Sequence, residues 1–219
     1  MAVCSNSVSC LNVFNNSTEL HCCNSKYLMG LLLHARSLRD KLDSLVELKL
    51  LFENLDILSI TESWLRPNEY KFREIPGYKA HFCARNSNSY FVGSEYCKRV
   101  EWGGGVCVYV RDYWDSNVIK AIEQRYNVFH VQNEKQSDKI NCILCYSPNL
   151  NTYSELINNL EQIISGLKGQ KTIVLGDFNV NLLANDSFAP EHGLFFTNYG
   201  LEPKLLGHST RTSKLHRHF

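Results

Sequence analysis

A chain of 219 residues, 44% hydrophobic and 21% charged, fits one large globular domain with a real core and leaves little room for a second folded domain. Its formal net charge of +1 excludes a strong overall field that would advertise a nucleic-acid partner, leaving only a local basic face for that purpose. Nine cysteines, irregularly spaced and with no secretory signal ahead of them, point to a reducing, intracellular setting, and no apolar run approaches the roughly 20 residues that span a bilayer.

Residues 1–25 are rich in Ser and Asn and carry no sustained period, so a poorly ordered leader is expected there, with one continuous domain over 26–219. A strand is predicted around Leu28 to Leu33. Ser37, with Asp40 three residues on, reads as a helix start, and Leu38, Leu42, Leu45, Leu48, Phe52 and Leu55 form one apolar stripe behind it. "DILSITE" is a strand with Ile57, Ser59 and Thr61 on one side and Leu58, Ile60 and Glu62 on the other, so Glu62 closes an apolar face. "GYKAHFCA", "GGGVCVYVRD", "NVIKAIE", "NVFHVQN" and "KINCILCYSP" follow as strands of a largely antiparallel system. The glycines Gly103 to Gly105 open a strand instead of a helix, which favours a turn or bulge over a phosphate cradle.

Cys142 and Cys145 make a C-x-x-C, but three-residue spacing on a strand sends the side chains to opposite faces, against a metal or redox pair. The sequons at Asn15, Asn16 and Asn185 are read as chance in the absence of an export signal. A second helix begins at Thr152 with Glu155 in the reciprocal capping position, buries Leu156, Leu160, Ile163, Ile164 and Leu167, and stops at Gly169. The composite is an α+β, four-layer α/β sandwich: two packed, mostly antiparallel sheets flanked by helices.

The strand that follows, "KTIVLGDFN", departs from its apolar pattern at Asp177 and Asn179. Two residues apart on a strand, these can present oxygen groups on one side of its carboxyl end, and Glu62 ends another core strand similarly. Convergence of the two ends would make a pocket of hard oxygen donors suited to Mg²⁺, or Mn²⁺ in its place. The plainer alternative is that Asp177 and Asn179 cap the turn that follows.

"GDFN" after a hydrophobic strand resembles the metal-centre motif of the exonuclease-endonuclease-phosphatase superfamily. The chain further resembles one branch, the endonuclease domain of non-LTR (LINE-type) retrotransposons, through "HARSLRDKLDSL", "DILSITESWL", "IPGYKAHF", "GGGVCVYVRD", "CYSPN", "VLGDFNVNLL" and "NYGLEPKLLGHSTR", in register from about Leu31 to Arg211. The resemblance implies a Mg²⁺-dependent DNA endonuclease that nicks target DNA for priming by an associated reverse transcriptase, in the nucleus. It implies that Glu62 holds the metal, that Asp177 and Asn179 contact the scissile phosphate or the attacking water, and that Tyr146 donates to a phosphate oxygen. Arg36, Arg111 and Arg211 are candidate phosphate contacts, set against the ordinary role of arginines as solvated surface. For Tyr146 the ordinary alternative is a strand aromatic packed inside.

Two departures stand out. His34 of "HARSL" takes the place of a family Asn that contributes to the metal site, and imidazole is a poorer partner for Mg²⁺ than an amide oxygen. The family's terminal Asp-His pair has no counterpart, since no Asp follows Asp186, and His216 and His218 are not carried over. The expected fold therefore lacks its final strand, as in an endonuclease domain cut short, with impaired activity. The alternative function is a catalytically inactive retroelement remnant that at most binds nucleic acid; a relative acting on lipid or small phosphate esters ranks third.

Overall fold

The computed structural model describes residues 13–15, 30–39, 55–72, 74–84, 104–124, 126–135, 138–148, 150–179 and 194–203. Its strands are β1 (Val13–Asn15), β2 (Gly30–His34), β3 (Ile57–Thr61), β4 (Tyr78–Cys83), β5 (Val106–Arg111), β6 (Asp115–Glu123), β7 (Asn127–Lys135), β8 (Asp138–Tyr146), β9 (Lys171–Asp177) and β10 (Leu201–Pro203), with helix α1 spanning Tyr153–Ser165. One sheet runs β10-β1-β9-β8-β7-β6 and the other β2-β3-β5-β4.

Every described pairing is antiparallel except two: β2 with β3, and β8 with β9. Parallel neighbours need a long crossover, and in the second case α1 supplies it. Each sheet thus contains one pair of strands whose carboxyl ends lie side by side, His34 opposite Thr61 and Tyr146 opposite Asp177.

Strand alternation builds the layers. On β8, Ile140, Cys142, Leu144 and Tyr146 join Ile173 and Leu175 of β9 against Leu32, Ile57, Val106, Val108 and Val110 of the other sheet, making the inter-sheet core. The opposite face of β8, with Ile143 and Cys145, packs under Leu156, Leu160, Ile163 and Ile164 of α1. Beyond the four-stranded sheet, Leu58, Ile60, Cys107 and Tyr109 meet Leu38, Leu55, Leu65 and Ile75. Two mixed sheets with apolar material on both outer faces bear out the predicted sandwich. Cys142 and Cys145 do face opposite cores, as free buried thiols.

Several local expectations are adjusted. Val13–Asn15, inside the segment read as a leader, is a strand that pairs with both β9 and β10. The helix start at Thr152 has no side-chain cap; a 3-10 turn over Leu150–Thr152 leads in, and the Thr152 hydroxyl instead meets Ser147 Oγ at 2.7 Å. Helix α1 ends at Ser165, and Gly169 (φ 79°) lies in the turn beyond it. Of the first amphipathic stripe, Leu38 and Leu55 are buried where it was expected to pack, whereas Leu42, Leu45, Leu48 and Phe52 lie outside the described residues, as do Gly103 and Arg211. Gly104 and Gly105 (φ 86° and 76°) form the turn into β5, and their carbonyls accept the Trp64 and Ser63 N–H groups.

Candidate active site

The site forms where the two parallel pairs face each other across the inter-sheet core. By alternation from Leu32, His34 points inward from the end of β2; from Ile173 and Leu175, Asp177 points inward from the end of β9; Tyr146 does so from β8. Three residues from three strands therefore reach one place because strand parity sends them there.

Glu62 reaches it differently. Continuing the alternation of Leu58 and Ile60, the face on which the sequence pattern puts it, would carry it to the outer layer, away from the expected convergence with Asp177. Instead β3 ends at Thr61, and Glu62 adopts a left-handed backbone (φ 54°) that turns its carboxylate inward, where Oε1 accepts the Tyr146 hydroxyl at 2.6 Å. Asn179 is also left-handed (φ 52°), an ordinary conformation for Asn but a costly one for Glu, on the order of 1–3 kcal/mol. Backbone bonds beyond the strand ends hold the turn: Ala35 N–H to Thr61 O (3.0 Å) and Ser37 N–H to Glu62 O (2.8 Å).

At the centre lies the His34 ring, 8% exposed. Its Nε2 is 3.2 Å from Glu62 Oε2 and its Nδ1 3.2 Å from Asp177 Oδ2, with Thr61 Oγ1 at 3.3 Å from Nδ1. Asp177 Oδ1 accepts the Asn179 backbone N–H at 3.1 Å, and Asn179 Nδ2 donates to the Ser147 carbonyl at 2.6 Å. Burial alone would lower the pKa of His34, but hydrogen bonds to Asp177 and Glu62 and both carboxylate charges outweigh it and raise it from 6.5 to about 9. Burial pushes Glu62 up, and the bonds from His34 and Tyr146, with the charges of His34 and Arg36, bring its carboxyl below its ordinary value.

Glu62, Tyr146, Asp177 and Asn179 are thus brought together, and Arg36, exposed beside them, adds positive potential. Arg111 is not: β5 runs antiparallel to β3, so Val106 lies opposite Thr61 at the site and Arg111 falls at the far end, its guanidinium 4.8 Å over the Tyr78 ring. Sequence reasoning missed Thr61 and Ser147. The parity of Ile57, Ser59 and Thr61 was a usable signal for the first; Ser147 acts through its carbonyl, which no side-chain pattern reveals.

A family model for the endonuclease/exonuclease/phosphatase family matches residues 12–213. The chain belongs to that family. Among solved structures, it is similar to the endonuclease domain of TRAS1, a telomere-specific non-LTR retrotransposon (11% identity, 78% of this chain and 71% of that chain, TM-score 0.54). It is also similar to humanized D. rerio TDP2 (15% identity, 76% and 70%, TM-score 0.50) and TDP2 from C. elegans (12%, 64% and 43%, TM-score 0.43). The chain spans from 43% to 71% of these structures' lengths, and at such identities the likeness to the TRAS1 domain and to D. rerio TDP2 bears on the fold alone. No match to a curated protein sequence was found.

Enzymes of this family are hydrolases, nucleases and phosphatases, that use divalent metal ions. Glu62, Asp177 and Asn179 are oxygen donors of the kind Mg²⁺ takes. As folded they do not fit it. A Mg²⁺ ion needs oxygens at about 2.1 Å and near-octahedral space for waters, whereas the imidazole of His34 fills the gap between the two carboxylates.

Proposed function

We propose that this chain is a DNA-nicking phosphodiesterase of the non-LTR retrotransposon type, working in the nucleus beside a reverse transcriptase that extends the nick. The observation that carries this reading is the convergence of Glu62, Tyr146, Asp177 and Asn179 from three separate segments, the ends of β3, β8 and β9, onto one half-buried point. The ordered segment resemblance supports the choice of branch, and the TRAS1 endonuclease domain shares the fold.

The chain's own groups suit in-line hydrolysis. Asp177, held at both oxygens by His34 and the Asn179 N–H, orients a water and accepts its proton as that water's oxygen attacks phosphorus. The P–O bond to the leaving sugar oxygen breaks, and that oxygen takes a proton from solvent. The Tyr146 hydroxyl exchanges its bond to Glu62 for one to a phosphoryl oxygen as negative charge grows there, and the Asn179 amide is fixed beside it by the Ser147 carbonyl. The Mg²⁺ that the branch resemblance implies has no role in these steps.

Supercoiled plasmid incubated with the protein tests this, in Mg²⁺ and in chelator, against Asp177→Ala. Open-circular product should accumulate with the parent chain and form roughly 10²–10⁴-fold more slowly with the variant; equal rates reject the assignment. The position of His34 between the carboxylates favours a second reading, nucleic-acid binding without cleavage. Salt-sensitive retention of plasmid with no nicking by either protein would select it.

A further inference from the structure

We infer that His34 itself holds the cation position of this site, so that the carboxylate pair is closed to Mg²⁺ and Mn²⁺ while the ring is in place. The inference rests on the reading of Glu62 as the carboxylate that holds the metal in this family. It goes beyond that reading because it assigns the position to a side chain of this chain.

Four contacts carry the argument. Both oxygens of Glu62 and both oxygens of Asp177 face a donor from the protein: Tyr146 O–H and His34 Nε2 on the first, Asn179 N–H and His34 Nδ1 on the second. Two carboxylates converging on a metal centre repel each other until a cation arrives; here they are already bridged. A neutral imidazole has one N–H and one lone pair, and a lone pair aimed at a carboxylate oxygen is repulsive. Carboxylate oxygens at both nitrogens favour the imidazolium over the neutral ring, whose Nδ1 lone pair would have only the Thr61 hydroxyl, at 3.3 Å, to accept from.

Distance points the same way. A nitrogen 3.2 Å from Glu62 Oε2 occupies the space in which an ion about 2.1 Å from that oxygen would sit with its water shell. The ring is buried, and β2 is registered to β3 along its length, His34 opposite Thr61. Admitting the ion means rotating a buried ring off two acidic partners. Were the ring instead to ligate, it would give up a proton to present a nitrogen that Mg²⁺ takes poorly.

Manganese titration followed by the EPR signal of free Mn²⁺ tests this on the whole chain at pH 7. The parent chain should show no stoichiometric Mn²⁺ at this site. His34→Asn should bind one ion roughly tens to hundreds of times more tightly, the gain from removing a unit positive charge beside a divalent ion in a well-screened site, and adding Glu62→Gln should abolish that gain. His34→Gln serves as a second variant where circular dichroism shows the Asn protein misfolded. One tightly bound Mn²⁺ in the parent chain that Glu62→Gln removes would overturn the inference, as would folded His34 variants that gain no ion. So would Zn²⁺ binding by the parent chain that His34→Asn removes, since His34 would then be a ligand. Ion occupancy is read independently of nicking, so failure here leaves the Asp177 plasmid assay to judge the catalytic reading.

Discussion

Raising the pH should weaken this protein through one residue. The pKa of His34 is raised from 6.5 to about 9 by the two carboxylates it bridges. A group that binds its proton more tightly when folded contributes stability in full below its unfolded value and loses it as pH climbs through the folded one. At 1.36 kcal/mol per pKa unit the rise corresponds to roughly 3 kcal/mol. Glu62 and Asp177 keep side-chain exposures of 19% and 12%, so solvent screening reduces this to about 2 kcal/mol. Glu62 acts in the opposite sense: its carboxyl is lowered from 4.5, so its contribution stands above that value and fades as the protein is acidified. Both are intact only between about pH 4.5 and 6.5. Urea unfolding of the parent chain and His34→Asn at intervals from pH 6 to 10 should show a stability gap that shrinks by about 2 kcal/mol across that range. The slope is the readout, because any packing lost with the ring is independent of pH. A gap that stays constant or widens would refute the charged bridge, as would a ring titration below 6.5 by NMR.

Tyr146→Phe removes only the hydroxyl that meets Glu62 Oε1. Loss of a hydrogen bond to a charged group should cost about 1.5–3 kcal/mol in thermal or urea unfolding and slow plasmid nicking beyond what that stability loss explains. Unchanged nicking by a destabilised variant would leave Tyr146 a structural residue. Gly176→Ala tests the glycine of "GDFN" itself. A β-carbon there would lie 2.6 Å from the Cys145 carbonyl and 3.0 Å from the Cys145 β-carbon, so β9 must shift against β8 and carry Asp177 off the site. Destabilisation by about 1–3 kcal/mol is expected by chemical denaturation, together with loss of nicking; a stable, active variant would show that the close approach is not needed.

Much of this architecture was legible in the residues. Apolar and β-branched content announced β8 and β9 as strands, the three- and four-residue spacing of Leu156, Leu160, Ile163 and Ile164 announced α1, and period-two reasoning separated Cys142 from Cys145. Asp177 stood out because it breaks the apolar pattern at the end of its strand, and Tyr146 only through the family resemblance; strand parity, a local property, directs both inward. Parity alone does not bring Glu62 to that point: its carboxylate turns inward through a left-handed backbone at the strand end. The sequence pattern offered Arg111 as a phosphate contact, and the antiparallel register of β3 and β5 removes it to the opposite end of the sheet.

The sequence by itself thus determined the central strands, the helix α1 and the polar break at the end of β9, because propensity and alternation act between residues close in the chain, whereas the short strands β1 and β10 form only by pairing with each other and with β9. Tertiary structure alone decided what His34 is. Whether that imidazole is a packed histidine, a ligand or a cation depends on what stands 3.2 Å from each nitrogen, and those partners lie on strands that only the packing of two sheets brings together.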